Sequence, residues 1–260
     1  MGIGFFRTSA SFLVAAAALV SAAAQAATYT VSIDGSDAIW LAGRTDLVIP
    51  AAGVNWPGGL ARHPITPEMI QETLPPIIAV GAGDVIRALD PAVGGISFFN
   101  GFGEPLYGPG GNTPAGSSLT AFGGISSYEG PQGPLVGVFL NDGIPSGPAP
   151  AGLNFTPAGL GIDFETLSPQ LGQVFYIGDG KTSGGVFQSF IAPTGATRLA
   201  LGIPDGFGFG GVPGAYDDND GGYRIRIGVN EVPTIPEPGT YALMALGLAA
   251  LPFIARRRRG

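Results

Sequence analysis

The run Tyr223-Arg224-Ile225-Arg226-Ile227-Gly228-Val229 decides the fold class. Tyr223, Ile225, Ile227 and Val229 alternate with Arg224, Arg226 and Gly228. That period of two sends one row of side chains into a core and the other into water, as in a half-buried antiparallel strand. Far upstream, Tyr29, Val31 and Ile33 alternate with Thr28, Thr30 and Ser32 in the same way. Between these two stretches, short bounded apolar runs predict strands near 39–41, 77–80, 85–89, 96–99, 135–140, 174–177, 186–191 and 198–203. The Gly81-Ala82-Gly83 link suggests a hairpin joining the Ile77 and Val85 runs. Residues 67–73 predict at most a short connecting helix. The stretch 101–134 lacks regular pattern, and a loop of that length is usually functional or organised by an ion. Many short strands, no useful helical periodicity from 27 to 232 and no repeat of fixed period predict an all-β fold. The expected architecture is an antiparallel β-sandwich or jelly roll, as one domain over 27–232.

Composition agrees with a folded body. Among 260 residues, 45 glycines and 24 prolines would suit a low-complexity chain, but 45% apolar and only 12% charged residues reverse the signature of disorder. The chain has many turns around a real core. It holds no cysteine, which excludes disulfides, thiolate metal sites and thiol nucleophiles. The formal charge is −7 overall. Setting aside Arg7 and the four terminal arginines on one side, and Glu237 on the other, leaves 7 basic and 18 acidic residues in the body, a net of −11. Such a surface repels phosphate backbones and attracts cations, so nucleic acid is not expected as a partner.

The two ends differ from the body. Arg7, the apolar stretch from Phe12 to Val20, and small Ala24 and Ala26 on either side of Gln25 form the three parts of a secretory signal peptide over 1–26. Signal peptidase would then leave Ala27 as the first mature residue. Residues 233–260 contain Pro236-Glu237-Pro238, a seventeen-residue, mostly apolar run over 239–255, and Arg256, Arg257, Arg258 and Arg259. As a helix that run would span about 25 Å, close to the ~30 Å hydrocarbon thickness of a bilayer. The arginines would hold its end on the cytoplasmic side and the body outside. The order of these three parts resembles the PEP-CTERM sorting signal of Gram-negative bacteria. That resemblance implies a transient inner-membrane anchor, processing by an exosortase-type transpeptidase, and delivery to the cell surface, the extracellular space or a biofilm matrix.

The densest group of special residues lies before the last strand. Asp205-Gly206 is followed by a glycine/phenylalanine insert through Gly211, then by Val212-Pro213-Gly214-Ala215-Tyr216-Asp217-Asp218-Asn219-Asp220-Gly221-Gly222. Calcium takes six to eight oxygens from carboxylates, amides, backbone carbonyls and water, and this arc supplies such oxygens between two strands. An acidic turn favoured only by backbone geometry has the same composition. The spacing is not that of an EF-hand. Residues 193–228 resemble the C-terminal part of the calcium-dependent galactose-binding lectins of the Pseudomonas jelly-roll type. Carried over residue by residue, the resemblance implies calcium ligands at Asp205, Asp218 and Asn219, at the backbone carbonyl of Ala215, and at the carbonyl of Tyr107 in Tyr107-Gly108-Pro109. Six residues, 206–211, are extra relative to that pattern. The family's metal also holds sugar hydroxyls, which implies carbohydrate binding, glycan or exopolysaccharide. Its histidine after the Tyr-Gly-Pro is missing here, while Gln132, Phe207 and Phe209 are further candidates for sugar contact. The alternative is a structural envelope or biofilm component that binds no glycan.

No catalytic residue is expected. The single histidine, His63, lies between Arg62 and Pro64, and no nucleophile elbow or zincin helix occurs. Asp163 and Glu165 could pair as carboxylates, but Ser168-Pro169 suggests a loop. Gly178-Asp179-Gly180-Lys181 has the composition of a hairpin turn.

Overall fold

The computed structural model describes residues 25–51, 54, 71–89, 93–99 and 106–233. The expected signal helix with Ala24, His63, most of the short helix expected at 67–73, the apolar run 239–255, Pro236, Glu237, Pro238 and the four terminal arginines lie outside these residues. Ala26 is described and stands exposed directly ahead of the first strand.

Among the described residues the chain is nearly all β, in three sheets. The largest holds β1 (Ala27–Asp34), β14 (Asp220–Val229), β3 (Val85–Ala88), β11 (Ser189–Ile191) and β9 (Thr166–Leu167) in that order, with β4 (Val93–Ser97) also paired to β14. The second runs β10 (Val174–Tyr176), β7 (Val136–Leu140), β12 (Arg198–Gly202), β2 (Ile77–Ala79). The third runs β13 (Gly210–Gly211), β5 (Asn112–Leu119), β6 (Tyr128–Gln132), β8 (Leu153–Asn154). Pairing is mainly antiparallel, but β11–β9, β13–β5 and β6–β8 are parallel. The short connecting turns are 3-10, and among the described residues no helix is long and apolar enough to cross a membrane.

The alternation that opens the sequence reading produces the first pairing. β1 and β14 run antiparallel in unbroken register from Ala27 opposite Val229 to Asp34 opposite Gly222. Tyr223, Ile225, Ile227 and Val229 are buried with Val31 and Ile33, while Arg224, Arg226, Thr28, Thr30 and Ser32 face solvent. Each such aliphatic side chain contributes about 1.5–3 kcal/mol by leaving water. Aromatic rings then link the sheets. Phe139 (β7) stacks on Phe175 (β10) at 5.0 Å, Phe175 meets Phe190 (β11) at 5.2 Å, and Phe155 bridges Tyr128 (β6) and Tyr176 (β10) at 6.0 Å each.

Several expectations change. Residues 39–41 form a 3-10 turn, not a strand, with Ile39, Trp40 and Leu41 all fully buried. The turn is closed by Leu41 N and Ala42 N donating to the Ala38 and Ile39 carbonyls, and Trp40 is anchored in the core by its indole Nε1, which donates to the Ser126 carbonyl at 3.1 Å. The Ile77 and Val85 runs do not pair as a hairpin. β2 joins β12 and β3 joins β14 and β11, so Gly81-Ala82-Gly83 carries the chain from one sheet to another. The patternless stretch 101–134 contains β5 and β6, paired to each other across a register shift between Asn112 and Gly116. Their residues, Asn-Thr-Pro-Ala-Gly-Ser-Ser-Leu and Tyr-Glu-Gly-Pro-Gln, carry almost no hydrophobic alternation, and each includes a proline that cannot donate to a ladder. The run at 96–99 becomes the earlier β4, and only the end of 186–191 is strand.

Candidate cation site

β12 leads into Ile203-Pro204-Asp205, and β14 begins at Asp220, so the segment between them is tied at both ends to neighbouring sheets. The insert after Gly206 folds over as a short 3-10 turn, Phe207–Phe209, and then as β13, parallel to β5. Gly206 bridges to Pro213, and Gly214 N donates to the Asp205 carbonyl at 3.0 Å, which closes the arch. Ala215 follows in the left-handed region, φ 61°, an uncommon conformation for a residue with a Cβ. It turns the chain into the 3-10 turn Tyr216–Asp218. Gly221, at φ +83°, lies so close to β4 that a Cβ there would collide with the Gly95 carbonyl.

The side chains converge in a dry interior. Asp205 is 3% exposed and Asp217 and Asn219 are 0% exposed. The Asn219 amide Nδ2 donates to Asp205 Oδ2 at 2.8 Å and to the Gly35 carbonyl at 3.0 Å. Gly206 N donates to Asp205 Oδ1 at 2.6 Å. The Tyr216 hydroxyl donates to the Ile203 carbonyl at 2.7 Å and accepts from Asp205 N at 3.1 Å, locking the loop from beneath. Burial pushes the Asp205 carboxyl well above the usual carboxylate range. The hydrogen bonds from Asn219 and Gly206 oppose that shift, and the charges of Asp218 and Asp217 add to it.

Three oxygens in this pocket have no hydrogen-bond partner: both carboxylate oxygens of Asp217 and Oδ1 of Asn219. Leaving such atoms dry and unpaired costs roughly 1–3 kcal/mol each, more for a charged group. A hard cation satisfies acceptors of this kind. On that ground Asp217 joins the candidate ligands. Sequence resemblance assigned no role to Asp217. The only signal was four consecutive oxygen-bearing residues, and which of them face inward depends on the 3-10 turn. Among the described residues, no group of three or more acidic or histidine side chains is placed to hold a metal ion by itself.

The other expected ligands divide. Asp218 is buried and lies within electrostatic reach of Asp205. Tyr107 exchanges both backbone hydrogen bonds with Ile96, at 2.8 and 2.9 Å, and Ile96 pairs with Gly221. β4 thus lies between Tyr107 and the strand that leaves the turn, and the Tyr107 carbonyl already accepts from Ile96 N. Gln132 is held inside the β5–β6 pair by Asn112 and the Gly116 carbonyl. Phe209 is buried against Phe98 and Phe99, whereas Phe207 is 61% exposed. Asp163 accepts from both the backbone and hydroxyl of Ser183, which holds its carboxyl below the usual range and marks a loop tie.

A further buried carboxylate, Asp37, lies just after β1. Asp37 accepts from Asp34 N and from the Thr73 hydroxyl, both at 2.8 Å, yet burial raises it to about 6. A carboxyl raised in the folded state gives its full stability below about 3.8, and that stability is lost as pH climbs through about 6. The Asp37→Asn variant should therefore equal the parent near pH 4 and exceed it by about 2–3 kcal/mol at pH 7. Urea melts of both proteins at the two pH values check this; parallel stabilities would refute it.

Residues 234–259 match the family model of the PEP-CTERM protein-sorting motif. Such a motif marks a chain sorted through the membrane to the cell envelope or exterior, with exosortase processing as its implied partner. No curated protein and no solved structure matches the chain.

Proposed function

We propose that this chain is a non-catalytic surface or matrix protein whose β-sandwich body is locked by one structural calcium ion at the acidic turn. The export half of the reading rests on the sorting motif at 234–259. Ala26, exposed ahead of β1, is accessible to signal peptidase, consistent with a mature chain beginning at Ala27. The sandwich reading rests on the shared core of the six-stranded and four-stranded sheets, joined through the Phe139–Phe175–Phe190 stack. The calcium reading is carried by one observation: a fully buried Asp217 whose two carboxylate oxygens have no partner.

Closure favours a structural ion over a sugar-exchanging one. Asp205, Ala215, Asp217, Asp218 and Asn219 are each 5% exposed or less, and the insert at 206–211 arches beside them. A metal that holds sugar hydroxyls needs coordination positions open to solvent. Glycan binding is the second reading, and the observation favouring it is the exposed Phe207 ring, an apolar face of the kind that sugars stack on. A glycan array probed with the purified body, with and without chelator, separates the two. The structural reading expects no calcium-dependent glycan signal from a folded, calcium-loaded body. A calcium-dependent signal that disappears in Asp218→Ala would replace it with the lectin reading.

A further inference from the structure

β1 and β14 lie side by side, and the chain enters the first and leaves the second at the same end, where Ala27 pairs with Val229. The exit is clasped to the body. Asn230 Nδ2 donates to Asp84 Oδ1 at 2.8 Å, Val85 N donates to Asn230 Oδ1 at 2.9 Å, and an Arg87 guanidinium N donates to the Glu231 carbonyl at 2.7 Å. The Thr28 hydroxyl donates to the Glu231 carboxylate. Asn230 holds φ +55°, a left-handed conformation that turns its side chain back onto β3. The fixed body thus reaches to Glu231, and the sorting motif begins at residue 234.

From Glu231 to Gly239, the first residue of the apolar run, the chain spans eight residues, at most about 28 Å when fully extended. The acidic turn lies at the opposite end of β14, nine residues from Val229 and therefore about 30 Å away. The Gly81-Ala82-Gly83 crossing lies at the exit end, because it leads directly into β3, whose Ile86 pairs with Val229.

We propose that, before processing, the body stands on the membrane with the exit end toward the lipid headgroups, the surface comprising Ala27, residues 81–84 and 229–231, and the cation turn pointing outward. The proposal rests on the apolar run being inserted in the bilayer. A leash no longer than the strand pair, rooted by four hydrogen bonds at one end of it, bars the inverted orientation and keeps the exit end on the lipid side.

The test uses the unprocessed full chain in liposomes carrying acceptor-labelled lipid in the outer leaflet. Because the chain has no cysteine, a single donor dye can be placed by Ala82→Cys or by Val212→Cys, both at exposed positions. Energy transfer from position 82 is expected to exceed that from 212 by about twofold or more, given a ~30 Å difference in height. Equal transfer from the two sites in liposome-bound chain would overturn the orientation while leaving membrane insertion intact. Recovery of the chain free of liposomes would overturn insertion and the orientation with it. A third donor at Thr30→Cys, midway along β1, should give an intermediate value; one higher than that at 82 would mean the body lies on its side.

Discussion

Adding millimolar calcium to the chelator-treated body should raise its melting temperature by about 5–11 °C. A ligand at a hundredfold excess over its dissociation constant stabilises the folded state by about 2.7 kcal/mol, and each kcal/mol shifts a domain of this size by roughly 2–4 °C. Asp217→Ala sharpens the test because its two effects have opposite signs. In chelator the variant should be more stable than the parent by about 2 kcal/mol, since it removes a fully buried carboxylate with no partner. In calcium it should be less stable, because it has lost a ligand. Calorimetric melts of both proteins in both conditions would show the stability order reverse. A parent that melts at the same temperature with and without calcium would contradict the site.

Trp40→Ala should be the most damaging single substitution in the core, costing about 3–5 kcal/mol. The ring is the largest fully buried side chain, and its removal also strips the Ser126 carbonyl of its indole donor. Ser126 in turn receives Val174 N on its hydroxyl at 2.9 Å, so the loss spreads to the edge of the second sheet. The expected drop in melting temperature is about 6–20 °C, measured in calcium so that the two effects remain separate. Trp40→Phe should cost less, because it keeps most of the apolar volume and loses only the indole hydrogen bond. Equal losses in the two variants would mean the hydrogen bond, not packing, dominates.

Trp40 also shows where sequence reading stops. Ile-Trp-Leu is as good a strand as Val-Phe-Tyr at 174–176 by residue type, but 174–176 pairs along β7 whereas 39–41 closes on itself as a turn, with Trp40 tied to Ser126 across the core. β1 and β14 were each legible as half-buried strands because the signal is local to each: an alternating row fixes which face is buried. Which strands pair was not, as Gly81-Ala82-Gly83 demonstrates. A link of hairpin length instead crosses between sheets, because Ile78 and Ile86 bury against different partners. β5 and β6 were invisible for the opposite reason, being built from small and polar residues whose burial is decided by β8, β13 and Phe155.

In the acidic turn, the Asn219 amide donates to Asp205, Asp218 lies within electrostatic reach of that carboxyl, and Ala215 takes the left-handed conformation that begins the arc. Asp217 could not be singled out. Adjacent residues in a 3-10 turn point to different sides, and only burial without a partner distinguishes the ligand candidate from its neighbours. Exposure of the site was likewise beyond sequence: the six-residue insert reads as an optional loop until β13 is seen to pair with β5.

The most direct measurement is the calcium bound by the body at dialysis equilibrium with millimolar calcium, by elemental analysis of protein against dialysate, beside Asp217→Ala. The structural-ion account predicts one calcium per parent chain and none in the variant. A parent free of bound calcium, with the same cooperative melt as in chelator, would contradict it.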